Sequence, residues 1–216
     1  MAIKKEKNRK TNNKNVLYIS FICTGNTCRS YIAEAVAAHL LKTIYFKKKP
    51  KIKDKVIIGS AGTDVLLNKV PVNTFKVLEK MEVPNFKFRP RQVDLSIINN
   101  SDLLIAMATS HKKNIISQFE EVDKKKVFTL IELANIILYL ESEDIFKGNN
   151  NDKNKKSTIK LAHQKIDLIK EMKTDSLIKP YSIDIEDPFG RSINIYMKVA
   201  KLIKENIITI FNYLFK

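Results

Sequence analysis

An almost unbroken apolar run, Val16 to Ile22 (VLYISFI), gives way at once to the small and polar stretch Cys23-Thr24-Gly25-Asn26-Thr27-Cys28-Arg29-Ser30. A short run of that kind is what a strand buried on both faces of a parallel sheet requires. From Ser30 the pattern changes: Ile32, Ala33, Val36, Ala37, Leu40 and Leu41 recur at helical spacing, and Ser30 or a neighbour can cap the start. Strand, tight loop and helix therefore follow one another directly.

The alternation then repeats. Val56 to Ile58 reads as a short strand closed by Gly59-Ser60-Ala61-Gly62, and Val72 to Met81 as a helix. Leu103 to Met107 is a buried strand, Ser110 to Phe119 a helix, and Val127 to Thr129 a fourth strand. A last helix, Ser192 to about Leu214, carries Ile195, Val199, Leu202, Ile203 and Ile207 at helical spacing. Strands alternating with helices predict an α/β fold, a four-stranded parallel sheet with helices on both faces joined by right-handed crossovers.

The chain has 216 residues, 44% of them hydrophobic, which suits one domain with a full core rather than two. Its only cysteines are Cys23 and Cys28, so a disulfide-stapled scaffold and a four-cysteine zinc module are excluded. His39, His111 and His163 lack metal-ligand spacing. A net charge of +16 makes anionic partners electrostatically welcome, although a Lys- and Asn-rich composition also spreads such charge without creating a site. No stretch is long and apolar enough to span a bilayer, and the charged start lacks the apolar block of a signal peptide; a cytoplasmic protein is expected. The sequence carries no signal for an oligomeric state.

Residues 1–15 form a basic arm expected to be disordered, leaving 16–216 as the folded domain, with an insertion at about 142–182. Within it, Gly148 to Lys156 (GNNNDKNKK) reads as a disordered loop. Thr158 to Met172 reads as an amphipathic helix, either a surface helix of the insertion or a membrane-surface or partner-binding one.

The first loop lies where open α/β sheets bind ligands, at the carboxyl end of a strand and the start of a helix. Successive backbone N–H groups there can converge on an anion. Gly25 and Asn26 tolerate the positive φ of such a curl. A thiol at the centre of that cradle is favoured as a thiolate, which makes Cys23 a candidate nucleophile. Arg29, six positions on, can return over the rim and clamp two phosphoryl oxygens, and Ser30 can donate to the thiolate or hold the loop. Thr24, Gly25, Asn26, Thr27, Cys28 and Arg29 thus form a candidate phosphate-binding loop.

VLYISFICTGNTCRSYIAEA, then GSAGT at Gly59 to Thr63, SDLLIAM at Ser101 to Met107 and DPFG at Asp187 to Gly190, resemble the low-molecular-weight protein tyrosine phosphatases. Thr27, Phe189-Gly190, the SQF of Ser117 to Phe119 and the KVFTL of Lys126 to Leu130 are most similar to bacterial protein-arginine phosphatases. The arm and the 142–182 region lie outside the resemblance. It implies a mechanism without metal or other cofactor. Cys23 attacks phosphorus in line, Arg29 and the loop amides hold the equatorial oxygens, and Asp187 protonates the leaving atom and then assists water against a phosphocysteine. Phosphorylated proteins are the implied partners. Asn26, Ser30 and Ser60 are implied loop supports. Thr27 and Phe189 are implied selectors of substrate: a bulky aliphatic residue is usual at Thr27 in tyrosine-directed members, and the hydroxyl suits a guanidinium. Phe189 can stack on either group.

Two positions depart from the family pattern. Tyr31 stands where proline is usual, predicting a bulky group at the rim, and Phe88 stands where many members have a histidine that supports the loop. Cys28 is either a resolving thiol, able to trap an oxidised Cys23 as a disulfide, or an ordinary loop thiol. Phosphotyrosine is the alternative substrate to phosphoarginine. Arsenate reduction on a similar scaffold needs a further relay cysteine. A nucleic-acid-binding protein acting through the arm and insertion is the non-enzyme alternative; those runs lack aromatic interleaving, so nucleic acid is not expected as a partner.

Overall fold

A computed structural model describes residues 15–67, 69–145, 157–173 and 184–216. The basic arm, save Asn15, and the Gly148 to Lys156 stretch lie outside the described residues. Four strands, β1 (Leu17–Cys23), β2 (Val56–Gly62), β3 (Leu103–Ala106) and β4 (Val127–Thr129), pair in parallel in the order β2-β1-β3-β4. Among the described residues eight α-helices surround them: α1 (Arg29–Leu40), α2 (Phe46–Lys48), α3 (Val72–Lys80), α4 (Leu95–Asn100), α5 (Thr109–Gln118), α6 (Leu130–Ser142), α7 (Thr158–Met172) and α8 (Ile193–Phe215).

Alternation along the strands sorts the apolar side chains into two cores. Leu17, Ile19, Phe21 and Cys23 of β1, with Leu103 and Ile105 of β3 and Phe128 of β4, face the larger core, built with α1, α3, α6, α7 and α8. Ile22, Leu104 and Val127 face the smaller one, closed by Ile98 of α4 and Ile115 of α5. Helices thus cover both faces, as the alternation predicts. Because the chain steps from β1 outward to β2 and then back across to β3, the loops after β1 and β3 part at a topological switch point.

The structure corrects several sequence expectations. β2 does not close at Gly59 but runs to Gly62, because β1 offers it a partner along its whole length, from Leu17 beside Val56 to Cys23 beside Gly62. The small residues at its end serve close approach. A Cβ on Gly62 would lie 2.3 Å from the Thr24 carbonyl oxygen, so only glycine lets the loop after β1 fold back over β2. α6 was not anticipated: it starts directly on β4, capped reciprocally by Thr129 and Glu132. α4, capped by Asp94, also went unread. α7 occupies the predicted span, and its apolar stripe of Ile159, Ala162, Ile166 and Ile169 is buried in the larger core. That face is therefore spent on packing and is not offered to a membrane or partner.

Candidate active site

The site begins with one residue out of the ordinary backbone range. Asn26 has φ 52°, which turns the chain between β1 and α1 into a closed curl. Gly25 does not share that conformation; among the described glycines only Gly190 has a positive φ. Asn26 is fully buried, and its carboxamide is fully used. Nδ2 donates to Ser30 Oγ at 2.9 Å and to Ser60 Oγ at 2.8 Å, while Oδ1 accepts the Arg91 N–H at 3.0 Å. Ser60 in turn donates to Glu34, whose carboxyl is pushed above its usual range by burial.

This network sets the direction of the next bond. Ser30 Oγ already accepts from Asn26, and its own hydrogen has two acceptors in reach, Cys23 Sγ at 3.0 Å and the Ala61 carbonyl at 3.5 Å, of which the sulfur is the nearer. The thiol of Cys23 therefore ends β1 facing a donor, within a loop whose amides precede the first turn of α1. The hydroxyl so engaged does not cap the helix: α1 starts at Arg29 with Cys28 as N-cap and without a side-chain cap.

Arg29 is buried, and its guanidinium is held by the segment before α8. Nη1 donates to the Ile185 carbonyl at 3.2 Å, and Nη2 meets Asp187 Oδ2 at 2.7 Å. Nε is buried with no hydrogen-bond partner among the described residues. The Ile185 N–H donates to the Met107 carbonyl, and Asp184 accepts the Thr109 N–H and hydroxyl, so the residue after β3 and the start of α5 fasten this segment over the first loop. Asp187 is about half exposed, and Phe189 beside it is 52% exposed. Gly190, with φ 72°, closes the turn into α8.

Thr27 lies on the loop floor at 5% exposure, its carbonyl accepting from Thr74 Oγ1 at 3.1 Å. Cys28 Sγ lies 3.3 Å from the Tyr196 hydroxyl, and burial pushes this thiol up. The two cysteines are both free. Among the described residues no cluster of His, Cys, Asp and Glu has the makings of a metal site.

A model of the low molecular weight phosphotyrosine protein phosphatase family matches residues 18–175. The chain belongs to this family. Among curated relatives it is similar to the protein-arginine-phosphatase of Bacillus subtilis strain 168, 36% identical over 116 residues that span 53% of this chain and 70% of that one. It is also similar to an arsenate reductase of Bacillus cereus strain 03BB102, 30% identical over 103 residues, 48% of this chain and 65% of the other. Among solved structures, a low molecular weight protein tyrosine phosphatase from Bacillus subtilis aligns with TM-score 0.60 at 25% identity, over 92% of this chain and 97% of its own. The family match stops short of Asp187, whose place in the site rests on the geometry above.

Members of the family are expected to carry proline and histidine where this chain has Tyr31 and Phe88. Tyr31 is not at the rim: it is wholly buried and stacks on Phe88 with ring centroids 3.9 Å apart. Phe75 and Phe86 meet the same ring edge-on. With Phe88 in place of a histidine, the Arg91 N–H and Glu34 complete the hydrogen bonds around Asn26 and Ser60. The sequence assigns Arg91, Glu34, Thr74, His111 and Tyr196 no role at the loop. Glu34 reaches it from the second turn of α1 and the other four from distant parts of the chain, and nothing local marks them.

Proposed function

We propose that this family member is a protein phosphatase that hydrolyses phosphoarginine in proteins through a phosphocysteine on Cys23. One observation carries the reading: Cys23 Sγ, with its Ser30 donor, shares one loop with an Arg29 guanidinium that is paired to Asp187 and still has an unpartnered buried Nε–H. Nε and Nη2 form a fork suited to two phosphoryl oxygens. On binding, the phosphoryl group takes Nη2 from Asp187 and satisfies Nε. The carboxyl is thereby released toward the leaving atom.

In the first step the S–P bond forms as the P–N bond breaks, and Asp187 gives its proton to the departing guanidine nitrogen. Loop amides of Thr24 to Arg29 and the Arg29 fork hold the oxygens while charge redistributes. In the second step water attacks phosphorus, Asp187 takes its proton, the S–P bond breaks and phosphate leaves. Asn26, Ser30 and Ser60 keep the loop in shape.

Thr27 supports phosphoarginine over phosphotyrosine, since its small polar side chain replaces an apolar wall for a phenyl ring. The likeness to a protein-arginine-phosphatase supports it too. Phosphotyrosine is the second reading, supported by the likeness to a low molecular weight protein tyrosine phosphatase; the exposed Phe189 ring stacks on either group and does not decide. Arsenate reduction lacks its third thiol, as the sequence holds only Cys23 and Cys28. Two free cysteines fit a reducing, cytoplasmic setting, and no helix among the described residues is long and apolar enough to cross a membrane. Cys28 is assigned as the resolving thiol for an oxidised Cys23.

Turnover of matched phosphoarginine and phosphotyrosine peptides, with Asp187→Asn as control, tests the proposal. A clear preference for phosphoarginine, lost with the acid, is expected; a large preference for phosphotyrosine refutes it.

A further inference from the structure

His111 approaches the loop from the first turn of α5, and its Nε2 lies 2.9 Å from Thr24 Oγ1. The side chain is buried, and Nδ1 has no hydrogen-bond partner among the described residues. Burial, and then the neighbouring Arg29 charge, hold the imidazole down to about 4, so the ring is neutral at physiological pH and carries one proton. A proton on Nδ1 would be a buried donor with nothing to receive it, whereas a bare Nδ1 leaves only a lone pair unused. The network therefore places the proton on Nε2, donating to Thr24 Oγ1.

Thr24 is the one exposed residue of the Cys23 to Arg29 loop. With its oxygen tied to His111, the hydroxyl keeps one lone pair and its own hydrogen, and it adjoins the nucleophile in sequence.

We propose that His111 is a positioning residue that fixes the Thr24 hydroxyl to accept an N–H of the guanidinium leaving group, making Thr24 a second selector beside Thr27. This rests on the phosphoarginine reading. A guanidinium joined to phosphorus presents N–H donors next to the nucleophile, while the phenyl ring of phosphotyrosine presents only C–H there. A hydroxyl already oriented forms that bond with less loss of rotamer freedom than a free one.

The test compares kcat/KM for matched phosphoarginine and phosphotyrosine peptides in the full chain, in His111→Leu, His111→Gln and Thr24→Val, and in the His111→Leu/Thr24→Val double variant. The phosphoarginine-to-phosphotyrosine ratio is expected to fall about tenfold or more in His111→Leu and in Thr24→Val, and no further in the double variant. His111→Gln, whose amide nitrogen can stand near the Nε2 position, should retain the ratio to within about threefold. Equal losses on both peptides leave His111 a structural role only and overturn the proposal, as do additive losses of the ratio. A wild-type preference for phosphotyrosine ends the phosphoarginine reading and this proposal together. A wild-type preference for phosphoarginine with an unchanged ratio in Thr24→Val ends this proposal alone. If His111→Leu does not fold, Thr24→Val and His111→Gln still decide.

Discussion

Tyr31 lies nearly flat on Phe88, at 3.9 Å between ring centroids and 16° between planes, in the place where relatives are expected to have a proline and a histidine. Two separate departures from a family pattern are thus one packing unit. Tyr31→Ala is expected to lower unfolding free energy by about 3 kcal/mol, as for other buried aromatic truncations, and Phe88→Ala by about 2. In denaturant titrations the double variant should lose less than the sum of the two. Strict additivity would show that the rings do not act together.

Gly62 tests the close approach beneath the loop. In Gly62→Ala the new methyl meets the Thr24 carbonyl and the Asn26 amide, both backbone, so the loop must shift. Inhibition by inorganic phosphate should weaken about tenfold or more, because oriented amides lose their common focus. An unchanged inhibition constant would mean that the loop tolerates the shift.

Asp187→Asn removes the proposed proton donor while leaving a polar group beside Arg29. Its effect should depend on the leaving group: about 10²-fold or more on kcat for a phosphoarginine or phosphotyrosine peptide, and far less for an activated aryl phosphate that departs without help. Equal effects on all of these substrates would argue for a binding role instead.

His111 links the site to acid stability. Its folded pKa of about 4 lies below the unfolded value of 6.5, so between these limits the unfolded chain binds the extra proton. Stability from this group is complete above pH 6.5 and is lost as pH falls toward 4, by about 3 kcal/mol. Urea titrations across that range should show the loss in wild type and a shallower slope in His111→Gln. Parallel slopes would exclude the histidine as the source.

Peroxide should join Cys23 to Cys28, seen as a bridged peptide by mass spectrometry and reversed by dithiothreitol. Over-oxidised Cys23 beside a free Cys28 would remove Cys28 from that role.

The strand run before Cys23, the loop and the later helices were legible because burial and spacing act locally, and the loop's own letters announced its curl. The helix after Thr129 carried a readable sign, Thr129 followed three places later by Glu132, but the adjoining strand leaves no gap to mark a boundary. What lay out of reach was the company the loop keeps. Asn26 receives the Arg91 amide from 65 positions away, and Thr24 meets His111 from 87. Such pairings are fixed by topology, since β2 and β3 flank β1, and they have no period or spacing along the chain.

The Arg29–Asp187 pairing has a consequence for discrimination among small anions. A guanidinium that already has a carboxylate gains little by exchanging it for chloride, acetate or bicarbonate, each carrying no more charge than the incumbent. In the proposed reaction a doubly charged phosphoryl group with oxygens for both Nε and Nη2 offers more, so the contact would act as a threshold that common cellular salts fail to cross.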